Sequence, residues 1–386
     1  MTLSMKTLLL TSAVATLSFH AIAGKELNDN SASAKPVDQL ANKNRQALSF
    51  SQNLDPDLPV TLGQSGLEVS SKSYYQEFSG AELKRGVQFK TAGEAAVIRL
   101  TPMKSQRLGK TQIAPVIEPN DLILTGNSGD FNVNKSGMSI KARSDQLSDT
   151  HPGIFENTAA FVIDKTLGQG QFNLKTERNV ADDDRYLLHV FDKHSSIAMQ
   201  LATERPAFAS GESLQVSAKL TAARFKSDNL TATLIAPDGR RFDMASKLSK
   251  TGVQLELPLN MDTERKAGEL WKVVLHGETD TGIFRTAELA VDIHQKTAAI
   301  TDYRMSKGQL SITLQVEQPG RYELRSWWFQ QQGKRSEPYA LDYFANWFEA
   351  GQHRISIPVT QLNKSSLQLK QLQLLDQSRL AVLETL

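Results

Sequence analysis

The run Gly211-Glu212-Ser213-Leu214-Gln215-Val216-Ser217-Ala218-Lys219-Leu220 decides the fold, because Leu214, Val216, Ala218 and Leu220 alternate strictly with other residues. A period of two puts those four side chains on one face of a β-strand, and an apolar face of that kind needs a second sheet to cover it. The pattern returns at Val253, Leu255, Leu257 and Leu259, at Trp271, Val273 and Leu275, and at Ala287, Leu289, Val291 and Ile293. Two further strands are expected over 230–236 and 240–245, joined by Pro237-Asp238-Gly239. In such a turn Pro presets φ and Gly supplies a positive one. About seven short strands in roughly 100 residues describe an immunoglobulin-like sandwich, placed here at 196–295.

Working toward the C-terminus, 296–386 repeats the style and is expected to form a second β-sandwich. Leu310, Ile312, Leu314 and Val316 alternate, Pro319-Gly320 turns the chain, Tyr322, Leu324, Ser326 and Trp328 follow, and His353, Ile355, Ile357 and Val359 alternate again. Leu367 and Leu369 share one parity and Leu372 and Leu374 the other, which predicts a bulge near Lys370. Asp376-Gln377-Ser378 then turns the chain into a last strand at 380–383.

Toward the N-terminus the pattern loosens. Residues 49–195 read as an irregular β-rich domain, with short apolar runs at 86–90, 95–100, 121–124, 159–164, 171–175 and 186–191 between long loops. Ser79-Gly80-Ala81-Glu82 fits a capping box and starts one helical turn, and short helical stretches are expected at 139–146 and at 36–48. Residues 24–48 hold too little apolar area to offset the entropy of ordering and read as a polar flexible segment. Residues 1–23 place Lys6 before an apolar run and end in Ala21-Ile22-Ala23, the arrangement of a signal peptide cleaved before Gly24. The chain is thus read as mainly β and multidomain: an irregular β-rich N-terminal domain followed by two tandem immunoglobulin-like β-sandwiches, exported to the periplasm or secreted.

Composition narrows the chemistry. With no cysteine there are no disulfides, zinc-thiolate sites, iron–sulfur clusters or cysteine nucleophiles. Lys plus Arg number 44 against 42 Asp plus Glu, so the chain lacks the basic excess that nucleic acid or an anionic membrane surface attracts. No stretch after the leader is long enough for a membrane span.

A leader, an irregular domain ending in Tyr186-Leu187-Leu188-His189-Val190-Phe191, a sandwich opening with Gly211-Glu212-Ser213-Leu214 and a Trp-rich last sandwich together resemble an uncharacterised family of secreted Gram-negative bacterial proteins with immunoglobulin-like C-terminal halves. The resemblance implies a fold and brings no activity and no catalytic residues.

Catalytic motifs are few. Gly126-Asn127-Ser128-Gly129-Asp130 has the look of a serine-protease nucleophile loop, yet no His lies between Gly24 and Ser128, and Gly63-Gln64-Ser65-Gly66 fails in the same way. There is no G-x-S-x-G elbow, no H-E-x-x-H and no phosphate-binding glycine motif. Gly168-Gln169-Gly170 reads as a hairpin turn. His189 and His194 are five apart, which points them to opposite faces of a strand. Asp182-Asp183-Asp184 reads as a solvated turn, with a loose Ca²⁺ loop as the weaker metal alternative; no cofactor is called for.

The one binding candidate is aromatic. Trp327-Trp328-Phe329, Tyr339, Tyr343-Phe344 and Trp347-Phe348 crowd the last sandwich, among Arg321, Arg325, Lys334 and Arg335. Adjacent strand residues face opposite ways, so with Trp328 in the core Trp327 projects outward. Trp327, Arg325, Tyr343 and Trp347 then form a surface that could stack on a glycan or anchor a protein partner. The expected role is non-enzymatic interaction at the cell envelope or in the secretome. The alternative is a secreted hydrolase using His151, His189 and Asp182 to Asp184 of the N-terminal domain.

Overall fold

The structure, a computed structural model, describes residues 40–63, 65–107, 110–126, 129–144, 158–306, 308–359 and 367–386. The leader, the Asn127-Ser128 loop centre and His151 lie outside them. The fold is mainly β, built from antiparallel sheets with one short α-helix among the described residues. Among the described residues Tyr74–Ser195 make one compact unit, and residues 40–73 join Ser196–Leu386 in the other.

In the first unit the expected runs are strands. Met138–Ala142, Ala159–Ile163, Val97–Pro102, Arg185–Phe191 and Ser73–Ser79 lie side by side in that order, and Val87–Thr91, Gly170–Thr176, Leu122–Gly126 and Gly129–Phe131 form a second sheet. Between them the helix Gly80–Arg85 starts at the foreseen capping box: Ser79 Oγ accepts from the Glu82 amide at 3.2 Å and Glu82 Oε2 accepts from the Ser79 amide at 2.7 Å. Its Leu83 is fully buried. Three expectations are corrected here. Of the stretch 139–146, residues up to Ala142 are strand and not helix, because Met138 and Ile140 pair with Ile163 and Phe161 and cross-strand burial outweighs weak local preference; Ser144 is helical, and 145–146 lie outside the described residues. Residues 40–47 carry no helix either, and the chain runs extended into the strand Leu48–Asn53. Gly168 to Gly170 is not a hairpin, since the strands on either side belong to different sheets; Gly168, at φ +68°, closes a 3-10 turn instead.

The middle sandwich has the registers that the alternation implies. Leu214, Val216 and Ala218 stand opposite Leu257, Leu255 and Val253. Facing them, Trp271, Val273 and Leu275 stand opposite Val291, Leu289 and Ala287. The two faces close on one core that includes Met199, Leu201, Leu234 and Ile293. At the Pro237 turn Gly239 adopts φ +92° and its amide donates to the Ala236 carbonyl at 2.9 Å.

In the last sandwich a three-stranded sheet of Ala298–Ser306, Gln309–Val316 and Gly351–Pro358 packs on a five-stranded one. The latter runs in the order Leu48–Asn53, Arg335–Phe348, Gly320–Gln332, Leu367–Asp376, Ala381–Thr385. The bulge falls where parity placed it: Trp327 pairs with Gln371 and Trp328 with Leu369, so Lys370 is left over. Arg265, its side chain 4% exposed, bonds Asp292 at 2.6 Å and also reaches the Arg379 and Leu380 carbonyls at 3.4 Å, fastening the two sandwiches together.

The first strands go elsewhere than the sequence implied. Leu48–Asn53 and Leu67–Ser71, expected with the irregular domain, extend the last and middle sandwiches by pairing with Arg335–Phe348 and Met199–Thr203. Main-chain pairing at a sheet edge asks little of the side chains, so LSFSQN carries no mark of its partner, whereas in LEVSS the alternating Leu67 and Val69 pack on the middle core. Among the described residues no helix is long and apolar enough to cross a membrane.

Candidate functional site

Strand Gly320–Gln332 sorts its aromatics by parity. Tyr322, Leu324 and Trp328 enter the core, with Trp328 2% exposed, while Arg321, Glu323, Arg325 and Trp327 belong to the other face. Strand Arg335–Phe348 adds Leu341, Tyr343, Ala345 and Trp347 to that outer face, through the pairs Trp327 with Leu341, Arg325 with Tyr343 and Arg321 with Trp347. Arg325 sits 5.7 Å over the Tyr343 ring and is paired with Glu323. Trp327, one pair along, is half-buried, and its indole Nε1 is buried without a hydrogen-bond partner.

Trp327, Arg325 and Tyr343 are therefore brought together. Trp347, four residues from Tyr343 on the same strand and face, lies roughly 13 Å away along the sheet. It has its own company: Arg45 lies 4.5 Å above its ring, and Glu349 accepts from its Nε1 at 2.9 Å. Of the flanking cations, Lys334 and Arg335 are exposed at the tip of the hairpin, and Arg321 is buried.

What buries Arg321 is a strap made of residues 41–63, which sequence reading missed. Arg321 Nη1 donates to the carbonyls of Asn44 at 3.0 Å and Gln46 at 2.6 Å, and its Nε to Gln377 at 2.8 Å. Ser378 Oγ donates to the Asn42 carbonyl at 2.6 Å. The strap strand Leu48–Asn53 then pairs with the edge of Arg335–Phe348, and Phe50 stacks on Tyr343 with centroids 4.6 Å apart. Farther on, the Gly63 amide donates to Gln371, the cross-strand neighbour of Trp327. The outward ring predicted at Trp327 thus belongs to a face that the chain's own N-terminal segment crosses. The only sequence signal for this was the alternation of Leu48, Phe50 and Gln52 with Ser49 and Ser51.

The N-terminal candidates have structural duties. Asp182 pairs with Lys84 at 2.5 Å, and the Asp182 and Asp184 carbonyls accept from the first amides of the helix, Ala81 and Gly80. Asp184 Oδ2 closes the same turn through the Ala181 amide at 2.8 Å. Asp183 is in that turn, and no group of three or more potential metal ligands occurs among the described residues. His189 is 7% exposed and stacks on Tyr75 at 4.8 Å. Burial, helped by Arg99 across the strand pair, lowers its pKa to about 3, so the ring is neutral. Asp192, fully buried, accepts from the Ala92 and Gly93 amides at 2.7 and 3.0 Å and ties that loop down.

Comparison with known proteins adds the following. A family model described as the N-terminal domain of DUF4785, a domain of unknown function, matches residues 39–192, and the model of the DUF4785 C-terminal domain matches 294–386. A crystal structure of a DUF4785 family protein from Legionella pneumophila superposes with a TM-score of 0.71 at 22% identity, covering 94% of this chain and 98% of that one. At that identity the likeness is one of fold. No curated protein matches the sequence.

Proposed function

Because the chain belongs to the DUF4785 family, whose description names no activity, we propose that it is an exported, non-enzymatic interaction protein of the cell envelope or secretome. It binds a protein or a glycan through the outer face of the last sandwich. The observation that carries this reading is the cluster of Trp327, Arg325 and Tyr343, a half-buried indole beside a ring and a cation on the outer face of the sheet, next to its bulge. Flat rings on such a face stack on sugar rings or receive a partner's apolar anchor, and the guanidinium adds a fork of donors for hydroxyl or carboxylate groups.

The test is capture on a glycan array and by pull-down from envelope extracts. Trp327→Ala should cost at least tenfold in affinity while the fold survives, as loss of an aromatic anchor does. Undiminished capture by a folded Trp327→Ala chain would refute the reading. Export has its own test: mature protein from a Gram-negative host should begin at Gly24 in N-terminal mass spectrometry, and intact Met1 or Met5 in the extracytoplasmic fraction would overturn it.

A further inference from the structure

The strap strand is held in a way that differs from every core strand of the sandwich it joins. All six residues of Leu48–Asn53 are exposed, Leu48 at 50% and Phe50 at 47%. None belongs to the buried core of that sandwich. The contacts that hold the strand include its main-chain ladder along residues 340–345, continued by the Leu54 amide on the Tyr339 carbonyl at 2.9 Å, and the stack of Phe50 on Tyr343. The firm clamps lie on either side: Asn42, Asn44 and Gln46 are fixed to Ser378 and Arg321, and Gly63 to Gln371. The middle of the strap can therefore leave the edge without opening the core and without freeing the segment, which stays tethered beside the place it left.

An edge strand that loses its neighbour presents a row of unpaired amide and carbonyl groups, and extended peptides are recognised by completing that row, with pockets for alternate side chains giving selectivity. The resident strand shows which side chains fit: an apolar residue beside Ala345, an aromatic ring on Tyr343, and a polar residue beside Leu341, separated by small polar residues. We propose that the edge of Arg335–Phe348 is a recognition site for an extended polypeptide segment of a partner protein with the alternation apolar–small–aromatic–small–polar, and that residues 48–53 are its built-in competitor. This deepens the preceding reading, on which it rests, by choosing a polypeptide over a glycan. A tethered competitor acts at an effective concentration in the millimolar range, so a partner segment succeeds only where it fits better or is itself presented at high local concentration.

The experiment uses the full chain and a fluorescein-labelled peptide of residues 47–54, ALSFSQNL, read by fluorescence polarisation. Leu48→Ser/Phe50→Ser loosens the strap, and this chain should bind the peptide at least tenfold tighter than the unmodified protein does. Tyr343→Ala added to it should remove that gain. Because the chain has no cysteine, Leu48→Cys/Ala345→Cys places a single cross-strand disulfide that locks the strap. The oxidised chain should not bind the peptide and the reduced one should, a comparison within one variant that does not depend on the loosened chain folding. Equal binding of a scrambled peptide, or binding that ignores the lock, overturns the proposal. Dimerisation of the loosened chain with no peptide bound also overturns it, by assigning the edge to a second copy. Trp327 lies one strand away from the strap, so unchanged capture by Trp327→Ala defeats the binding-face reading separately from peptide exchange.

Discussion

Trp328 Nε1 donates a 2.7 Å hydrogen bond to Asp342 Oδ2 on the neighbouring strand, inside the core of the last sandwich. An indole and a carboxylate, each buried and each needing a partner, satisfy one another there. Trp328→Ala should cost about 3–5 kcal/mol, the range of large-to-small core changes. Trp328→Phe keeps most of the ring but leaves Asp342 short of a donor and should still cost about 1–3 kcal/mol. Trp327→Ala should stay within about 1 kcal/mol, since that side chain is only half-buried. Urea midpoints of the three variants measure the contrast, and equal losses at 327 and 328 would contradict the assigned faces.

Trp271 fills the core of the middle sandwich by packing alone, its indole Nε1 buried without a hydrogen-bond partner. It is fully buried, opposite Val291 and 6.0 Å from the Phe242 ring. Trp271→Ala should therefore cost about 3–5 kcal/mol, a large share of the ~5–15 kcal/mol of a typical domain. A loss under about 1 kcal/mol by denaturant titration would mean that the strand register is displaced by one residue.

Arg265 should govern how the two C-terminal sandwiches melt. Arg265→Ala leaves the partly buried Asp292 without its guanidinium and removes the bonds to the Arg379 and Leu380 carbonyls. Breaking a fully buried pair from one side costs about 3–5 kcal/mol, so this partly exposed one should cost less, about 1–3 kcal/mol. Calorimetry should then resolve separate transitions for the sandwiches where the unmodified chain gives a coupled one.

His189 gives the first unit a definite acid sensitivity. Its folded pKa is depressed to about 3 by burial, while in the unfolded chain it takes up a proton near 6.5. Between those values the unfolded state binds a proton that the folded state does not, so stability is full above about pH 6.5 and declines as pH falls toward 3. The slope from one such group is at most about 1.4 kcal/mol per pH unit. His189→Gln should flatten the fall in melting temperature between pH 6.5 and 4. The slope that persists toward pH 4 belongs to Glu82, Asp164 and Asp182 of the same unit, whose carboxyl pKa values are lowered by hydrogen bonds from Ser79, Thr166 and Lys84.

How much of this was legible follows from how each strand is held. Residues 214–220 could be read because a sandwich buries one side of a strand and wets the other, which writes itself into every second residue. Trp327 and Trp328 were separable on the same ground, and the bulge at Lys370 showed as a parity break. LSFSQN at 48–53 could not be placed, because an edge strand is held by main-chain groups that every sequence has. The first part of the helix expected at 139–146 is strand for a related reason: Met138 and Ile140 take their conformation from Ile163 and Phe161 on another strand. At the aromatic face, the rings were visible in the sequence and the strap that crosses them was not, since its partners lie far along the chain.

That separation has a consequence in time. Arg45 and Glu349 are 304 residues apart, and Asn42 and Ser378 are 336 apart. A ribosome adding ~5–20 residues per second needs roughly 15–60 s to cover such a distance. The strap is made near the start and its docking edge near the end, so for that interval LSFSQN exists without the edge it pairs with in the finished fold.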